Sequence, residues 1–121
     1  RKNEDHSWVP PSAKDLANII FHTSFMGTEN SSDETKHRAA ELANQIGSFH
    51  QSFTIDIVIR ALLKLFDTTT GKQPKFVSNG GSNVEDLALQ NIQARLRMVI
   101  AYLLAQLLPW VRGRPGFLLV L

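Results

Sequence analysis

Asn91 and Arg95 are the residues of this chain best placed to do chemistry. They lie in residues 87–98, LALQNIQARLRM, at the start of a helix that runs into an almost uncharged stretch, 99–111. A spacing of four puts Asn91 and Arg95 on one helix face, and Gln90, Gln93 and Arg97 share the neighbouring face. Leu89, Ile92, Leu96, Val99 and Leu103 recur at helical spacing and are expected to form the apolar stripe. Two arginines and three amides thus crowd the first turns of a helix apolar enough to be buried. A guanidinium taken out of water needs partners. Its planar donor fork, beside amides, suits a carboxylate or a phosphate. An interface arginine paired with an acidic side chain fits the same spacing, and helix pattern alone favours that reading.

The elements that must position these residues can be read from punctuation and period. Residues 1–11 are polar, end in Pro10-Pro11 and read as a linker or an ordered turn. Ser12 is placed to cap a short helix running through Asn18. Residues 19–26 are β-branched and aromatic and read as a strand buried on both faces. A turn at 27–30 leads to Ser31-x-x-Glu34, which has the form of a capping box, with Asp33 and Glu34 at the positive end of the helix it opens. Ala39, Leu42, Ala43 and Ile46 give that helix its apolar face, and Gly47 closes it. A second strand is expected over 49–55. A helix over 56–69 carries Ile59, Leu62, Leu63 and Phe66 at helical spacing. Residues 71–83, with three glycines and a proline, read as a loop. The long helix follows over about 84–108, is ended by Pro109 and leads to a last strand at 117–121. This alternation of strands and helices predicts an α/β fold, a parallel sheet with flanking helices.

Composition narrows the function classes. The length of 121 residues allows one domain or part of one, and 43% hydrophobic residues are enough to build a core. Zero cysteines exclude a disulfide framework and a thiolate metal site, and suit a reducing, cytoplasmic setting. Residues 1–49 hold five Lys/Arg against seven Asp/Glu, and residues 50–121 hold eight against four. The second part is therefore basic enough to face an anionic ligand and too weakly basic to argue for nucleic acid. The uncharged run 98–111 falls short of the ~20 residues of a membrane-spanning helix and reads as a core or subunit-interface segment. No signal peptide is visible, and Asn30-Ser31-Ser32 matches the glycosylation pattern by coincidence. The opening on Arg1 and the close on a strand-like apolar run point to a piece of something longer.

Familiar catalytic motifs are missing from the sequence. Gly71-Lys72 lacks the upstream glycine and following Ser/Thr of a P-loop, and Gly80-Gly81 reads only as a flexible turn. No nucleophile elbow occurs. His6, His22, His37 and His50 are too widely spaced for a local zinc motif and read as surface or strand histidines. Asp33 and Glu34 read as a helix-start device rather than a catalytic dyad.

Three segments taken together resemble one family. They are Phe25-Met26-Gly27-Thr28-Glu29-Asn30-Ser31-Ser32, then Gly80-Gly81-Ser82, and then residues 87–98 followed by residues 105–113, AQLLPWVRG. Across about residues 8–121 the chain is similar to the synthetase domain of eukaryotic-type glutamine-dependent NAD+ synthetases. The resemblance implies a Rossmann-like fold of the ATP pyrophosphatase (adenine nucleotide alpha hydrolase-like) type, here incomplete. It implies an enzyme that adenylates the carboxylate of deamido-NAD+ with ATP and Mg2+, then displaces AMP with ammonia. The ammonia would come from glutamine through a separate amidase domain. The resemblance also implies a homodimer or higher homo-oligomer, with no nucleic acid and no membrane as partner.

Carried over residue by residue, the resemblance makes Arg95 the arginine that contacts deamido-NAD+, with Asn91 its neighbour. Arg97 is either structural or paired across an interface. Met26, Gly27 and Thr28 would border the adenosine of ATP, and Gln106 and Trp110 would pack between subunits. No catalytic residue and no metal ligand are assigned. The loop that binds the ATP pyrophosphate, the Mg2+ ligands and the amidase domain would all lie outside this chain. Residues 12–121 would then be a partial ammonia-ligase domain behind a linker at 1–11, and inactive alone. Asp86 stands where the family usually has Asn, a departure tolerable at a helix N-terminus. Two rivals remain at this point: another enzyme of the ATP pyrophosphatase fold, such as a GMP synthetase or a tRNA-thiolating enzyme, and a non-catalytic fragment whose long helix only dimerises.

Overall fold

The computed structural model describes residues 9–121, so most of the expected linker, and His6 with it, lies outside the described residues. The elements run in the order α1 (Ala13–Ile20), β1 (His22–Gly27), α2 (Asp33–Ile46), β2 (Phe49–Thr54), α3 (Asp56–Thr70), a 3-10 turn (Val77–Asn79) and α4 (Asn83–Val111). They divide between two compact units, Arg1–Phe53 and Thr54–Leu121.

In the first unit, Ser12 caps α1 by accepting from the Asp15 N–H, as expected. The helix runs on through Ile19 and Ile20, which were expected in the strand, and β1 starts only at His22. β1 and β2 form a two-stranded parallel sheet, begun by the bond from the Phe49 N–H to the Phe21 carbonyl. β1 is half-buried, with Ser24 exposed, rather than buried on both faces. Two strands give it too few neighbours for that. α2 packs on β1. It does so through a narrower stripe than expected: Ala43 is buried and Ala39 half-buried, while Leu42 is 58% and Ile46 40% exposed. The cap of α2 also differs from expectation. Ser32, not Ser31, accepts from the Thr35 N–H, and Glu34 instead pairs with Arg38 one turn on. Ser31 is drawn off by the preceding turn, where its hydroxyl accepts from the Thr28 N–H. Gly47, left-handed at φ 85°, ends the helix as expected.

In the second unit, α3 finishes on Thr68, Thr69 and Thr70. Each hydroxyl donates to the carbonyl four residues back, at 2.8 Å, 2.9 Å and 2.9 Å. Each hydroxyl thereby adds a second donor to a carbonyl within the last turns of the helix. The segment that follows is the expected loop apart from the 3-10 turn, and it is fastened to the first turn of α4. Glu85 accepts from the N–H groups of Lys75 and Ser82, and Asp86 accepts from the Val77 N–H at 2.9 Å. Ser82 and Glu85 form the capping box of α4.

α4 is 29 residues long and passes through Pro109, which was expected to end it. Its inner row begins with Leu89, Ile92 and Leu96, as expected. It then continues through Ile100, Leu104 and Leu108, while Val99 and Leu103 are 62% and 56% exposed. A 3.6-residue helix drifts relative to a strict seven-residue repeat, so no single heptad row stays inside over this length. Among the described residues α4 is also the one helix long and apolar enough to cross a membrane by length and composition, a test that buried helices of soluble proteins pass as well. The run 117–121 is not a strand; its Leu118 N–H donates to the Ala105 carbonyl, and no neighbouring strand is present among the described residues to pair with it.

Gly81 has the least room of the glycines in the second unit. A Cβ built there would lie 1.8 Å from the Lys75 carbonyl oxygen, whereas one at Gly80 would meet nothing within 4 Å. Gly81→Ala is therefore expected to destabilise by about 2–3 kcal/mol, as backbone collisions do. Gly80→Ala, which only places a side chain at positive φ, should cost about 1–2 kcal/mol. Urea unfolding of the two variants checks the order; equal losses would show that the loop relaxes away from α4.

Candidate functional site

The expected ATP-bordering residues stand at the carboxyl end of β1. Met26 is half-buried, and Gly27 and Thr28 are buried. In parallel α/β sheets ligands are bound at this end of the strands. A Cβ on Gly27 would press the Phe25 ring edge at 2.8 Å and the Ser31 hydroxyl at 3.4 Å, so glycine keeps this corner shallow. The Thr28 N–H donates to Ser31 Oγ at 2.9 Å, and the Thr28 carbonyl accepts from the Ser31 N–H at 3.0 Å. Thr28 is thus committed to its own turn and can border a ligand by shape more than by backbone hydrogen bonds.

The expected anion-binding residues stand on α4, in the other compact unit. Asn91 and Arg95 are both exposed and share one face, one turn apart. Arg95 has no acidic partner among the described residues. Arg97 is half-buried on the inner face and is engaged within the chain. Gln106 and Trp110 are exposed, Trp110 by 73%. Met98, Val99, Tyr102 and Leu103 are exposed beside them, so the outer surface of α4 combines one arginine with an apolar band.

Asp86 does more than complement a helix end. One of its oxygens holds the Val77 N–H, and the other accepts from Gln90 Nε2 at 2.5 Å. It thereby ties the fastened loop to the amide one turn ahead, next to Asn91. An Asn at this position would keep the first bond and could keep the second only by reversing the Gln90 amide. Sequence reading overlooked this arrangement, although Ser82-x-x-Glu85 was a visible signal for it.

A groove of about 910 Å³ opens between α3 and the first half of α4, lined mainly by apolar residues such as Leu62, Phe66, Val84 and Ile92. Neither Asn91 nor Arg95 lines it. The histidines behave as surface or strand residues where they are described. His37 lies on exposed α2 within 3.8 Å of Glu41, and His22 and His50 belong to the two strands.

A sequence profile of the NAD synthase family matches residues 12–110, most of the chain. The chain belongs to the NAD synthase family. Among curated members, it is 59% identical to the glutamine-dependent NAD(+) synthetase of Saccharomyces cerevisiae over 94% of its own length. It is 57% identical to the Arabidopsis thaliana enzyme of the same name over 98%, and 52% identical to that of Rattus norvegicus over 98%. In each case the chain spans only 16% of the relative's length. The family match covers both the β1 corner and the α4 face.

The start of α4 carries a pH dependence of its own. Hydrogen bonds from the Ser82 backbone and hydroxyl, then from the Lys75 backbone, hold the Glu85 carboxyl below its ordinary value of 4.5. A carboxyl whose pKa is depressed on folding stabilises above its unfolded pKa, and that contribution is lost as pH falls through the folded pKa. The first turn of α4 and residues 75–82 should therefore loosen together below pH 4.5. Amide exchange of Ser82 and Lys75 measured against pH tests this, and Glu85→Gln should flatten the profile. Acid loosening that persists unchanged in Glu85→Gln would place its cause elsewhere.

Proposed function

We propose that this chain is part of a glutamine-dependent NAD+ synthetase, a carbon–nitrogen ligase of NAD biosynthesis. In this reading an oxygen of the deamido-NAD+ carboxylate attacks the α-phosphorus of ATP and pyrophosphate leaves. Ammonia derived from glutamine then attacks the activated carbonyl carbon and AMP leaves. Support comes from the family membership and from relatives of that name at 52–59% identity over nearly the whole chain. The α/β arrangement with a parallel sheet agrees with a Rossmann-like, ATP pyrophosphatase-type domain. Residues 12–121 would be one part of that domain, and residues 1–11 a linker.

The observation that carries the site assignment is the exposed Arg95 beside Asn91, without an acidic partner among the described residues. Arg95 would hold the negatively charged dinucleotide with its donor fork, and Asn91 would add a neutral donor and acceptor one turn away. Met26, Gly27 and Thr28 would form the shallow corner against which the adenosine of ATP lies. Mg2+ would neutralise the phosphates of ATP. In this reading the ligands of Mg2+ lie outside this chain. The exposed apolar band of α4 fits a contact between subunits, and in this reading the enzyme is a cytoplasmic homo-oligomer. Neither nucleic acid nor membrane is required as a partner.

A second reading, in which α4 serves only self-association, is favoured by the exposed Tyr102, Leu103 and Trp110. The two readings separate at Arg95. In the full-length protein, Arg95→Ala should weaken deamido-NAD+ binding by about 1.5–3 kcal/mol, the range for hydrogen bonds to charged groups. Titration calorimetry measures this directly. Unchanged affinity together with altered self-association would make Arg95 a structural residue. The 121-residue chain by itself is expected to form no AMP from ATP, deamido-NAD+ and ammonia; AMP release by it would show that the activity needs nothing beyond this segment.

A further inference from the structure

Pro109 sits inside α4, buried, where the ladder would normally draw an N–H from residue 109 to the carbonyl of Ala105. Proline has no N–H to give. The Ala105 carbonyl is thereby released from the ladder at a residue only 8% exposed. A buried carbonyl left without a donor is destabilising. Here the donor comes from outside the helix: the Leu118 N–H binds the Ala105 carbonyl at 2.8 Å.

The path to that bond is itself specified. The Arg114 N–H returns to the Pro109 carbonyl at 2.7 Å, and the Gly113 N–H to the Trp110 carbonyl at 3.0 Å. Gly113 at φ 71° and Gly116 at φ 88° reverse the chain, a backbone conformation that side-chain-bearing residues resist. Beyond the reversal, exposure alternates with the period of a strand. Leu118 and Val120 are half-buried, whereas Phe117 is 73% and Leu119 84% exposed. Because that period is two, a slip of one residue in the anchor would turn every side chain of this segment over.

We propose that Pro109 is a positioning residue. By withholding an N–H it reserves the Ala105 carbonyl for Leu118 and fixes the register of residues 117–121 against α4. Any other residue at 109 brings an N–H that competes for the same acceptor. The functional consequence rests on the NAD+ synthetase reading, in which α4 carries Arg95 and Asn91: the segment docked on this helix is held in the register that the site needs.

The test uses the full-length protein and Pro109→Ala, with hydrogen exchange and turnover read side by side. The Leu118 amide should exchange about tenfold faster, and the amide that the substitution creates at position 109 should become protected, since one hydrogen bond replaces the other. Alanine suits a helix better than proline, so the melting temperature should not fall. Turnover of deamido-NAD+ to NAD+ should nevertheless drop by about 10–100-fold, the effect of a small misplacement relayed from a distance. Lost activity without lost stability is what a merely structural proline would not produce. Leu118→Pro, which removes the donor and keeps Pro109, should reproduce the loss of turnover, so the idea stays testable if Pro109→Ala does not fold. Unchanged protection at Leu118 in Pro109→Ala overturns the anchoring, and released Leu118 with full turnover overturns the positioning role. Wild-type protein that makes no NAD+ removes the functional half, while the exchange result still decides the joint.

Discussion

Helix α4 has backbone groups at both ends that its own ladder cannot satisfy, and the second unit is built around finding them partners. At the start, four N–H groups lack acceptors. Ser82 and Glu85 serve that end, and the carboxylates of Glu85 and Asp86 reach beyond it to the N–H groups of Lys75, Val77 and Ser82. Near the other end, Pro109 leaves the Ala105 carbonyl to an outside donor. Each demand draws a stretch of irregular chain onto the helix. Neither stretch holds enough buried apolar surface to place itself: Val77, Phe117 and Leu119 are all at least half exposed. Hydrogen bonding to α4, more than hydrophobic burial, decides where these segments lie.

The first unit meets the same demand with side chains. Thr23 Oγ1 lies 3.0 Å from Ser48 Oγ and 2.9 Å from His50 Nδ1, and the Ser48 hydroxyl donates in turn to the Ala43 carbonyl. This short network joins β1, β2 and the end of α2 on the face where Ala43 is buried. It is a polar joint inside a small core whose members bond one another while His50 Nε2 stays buried without a hydrogen bond. Tight packing reinforces it: a Cβ on Gly47 would lie 2.8 Å from Lys14 Cβ and 2.9 Å from the Lys14 backbone, so α1 and the end of α2 pass close together.

The sequence disclosed what period and punctuation encode, and concealed what depends on competition between acceptors. The helices and the two strands were legible because their apolar spacing and stops at Gly47 and Gly71 are local signals. The cap of α2 was misplaced by one residue because Ser31 and Ser32 are both competent, and the choice is made by Thr28, outside the motif. The end of α4 was misread because a proline near a helix terminus is usually a stop, whereas here a donor elsewhere in the chain makes it tolerable. The strand at 117–121 could not form because a strand is a relationship with a neighbour, and composition reports only a willingness to enter one. Of the candidate site, residue identities were legible. What the structure adds is which of them turn outward.

That outward turn separates the two arginines of α4. Residues two apart on a helix point roughly 200° away from each other, so Arg95 and Arg97 cannot serve the same face. Arg97 turns in and is engaged there, as a half-buried guanidinium must be. Arg95 turns out beside Asn91. A fully solvated arginine binds an anion weakly, since water and salt screen the charge. It becomes a strong and selective ligand when its surroundings exclude water. The surroundings here are suited to that: Met98, Val99 and Tyr102 extend from Arg95 as a band more than half exposed. A helix face meant for bulk solvent would carry charges of both signs at this spacing. One arginine and one amide stand here at the edge of an apolar band, the setting that the proposed dinucleotide site needs once it is covered.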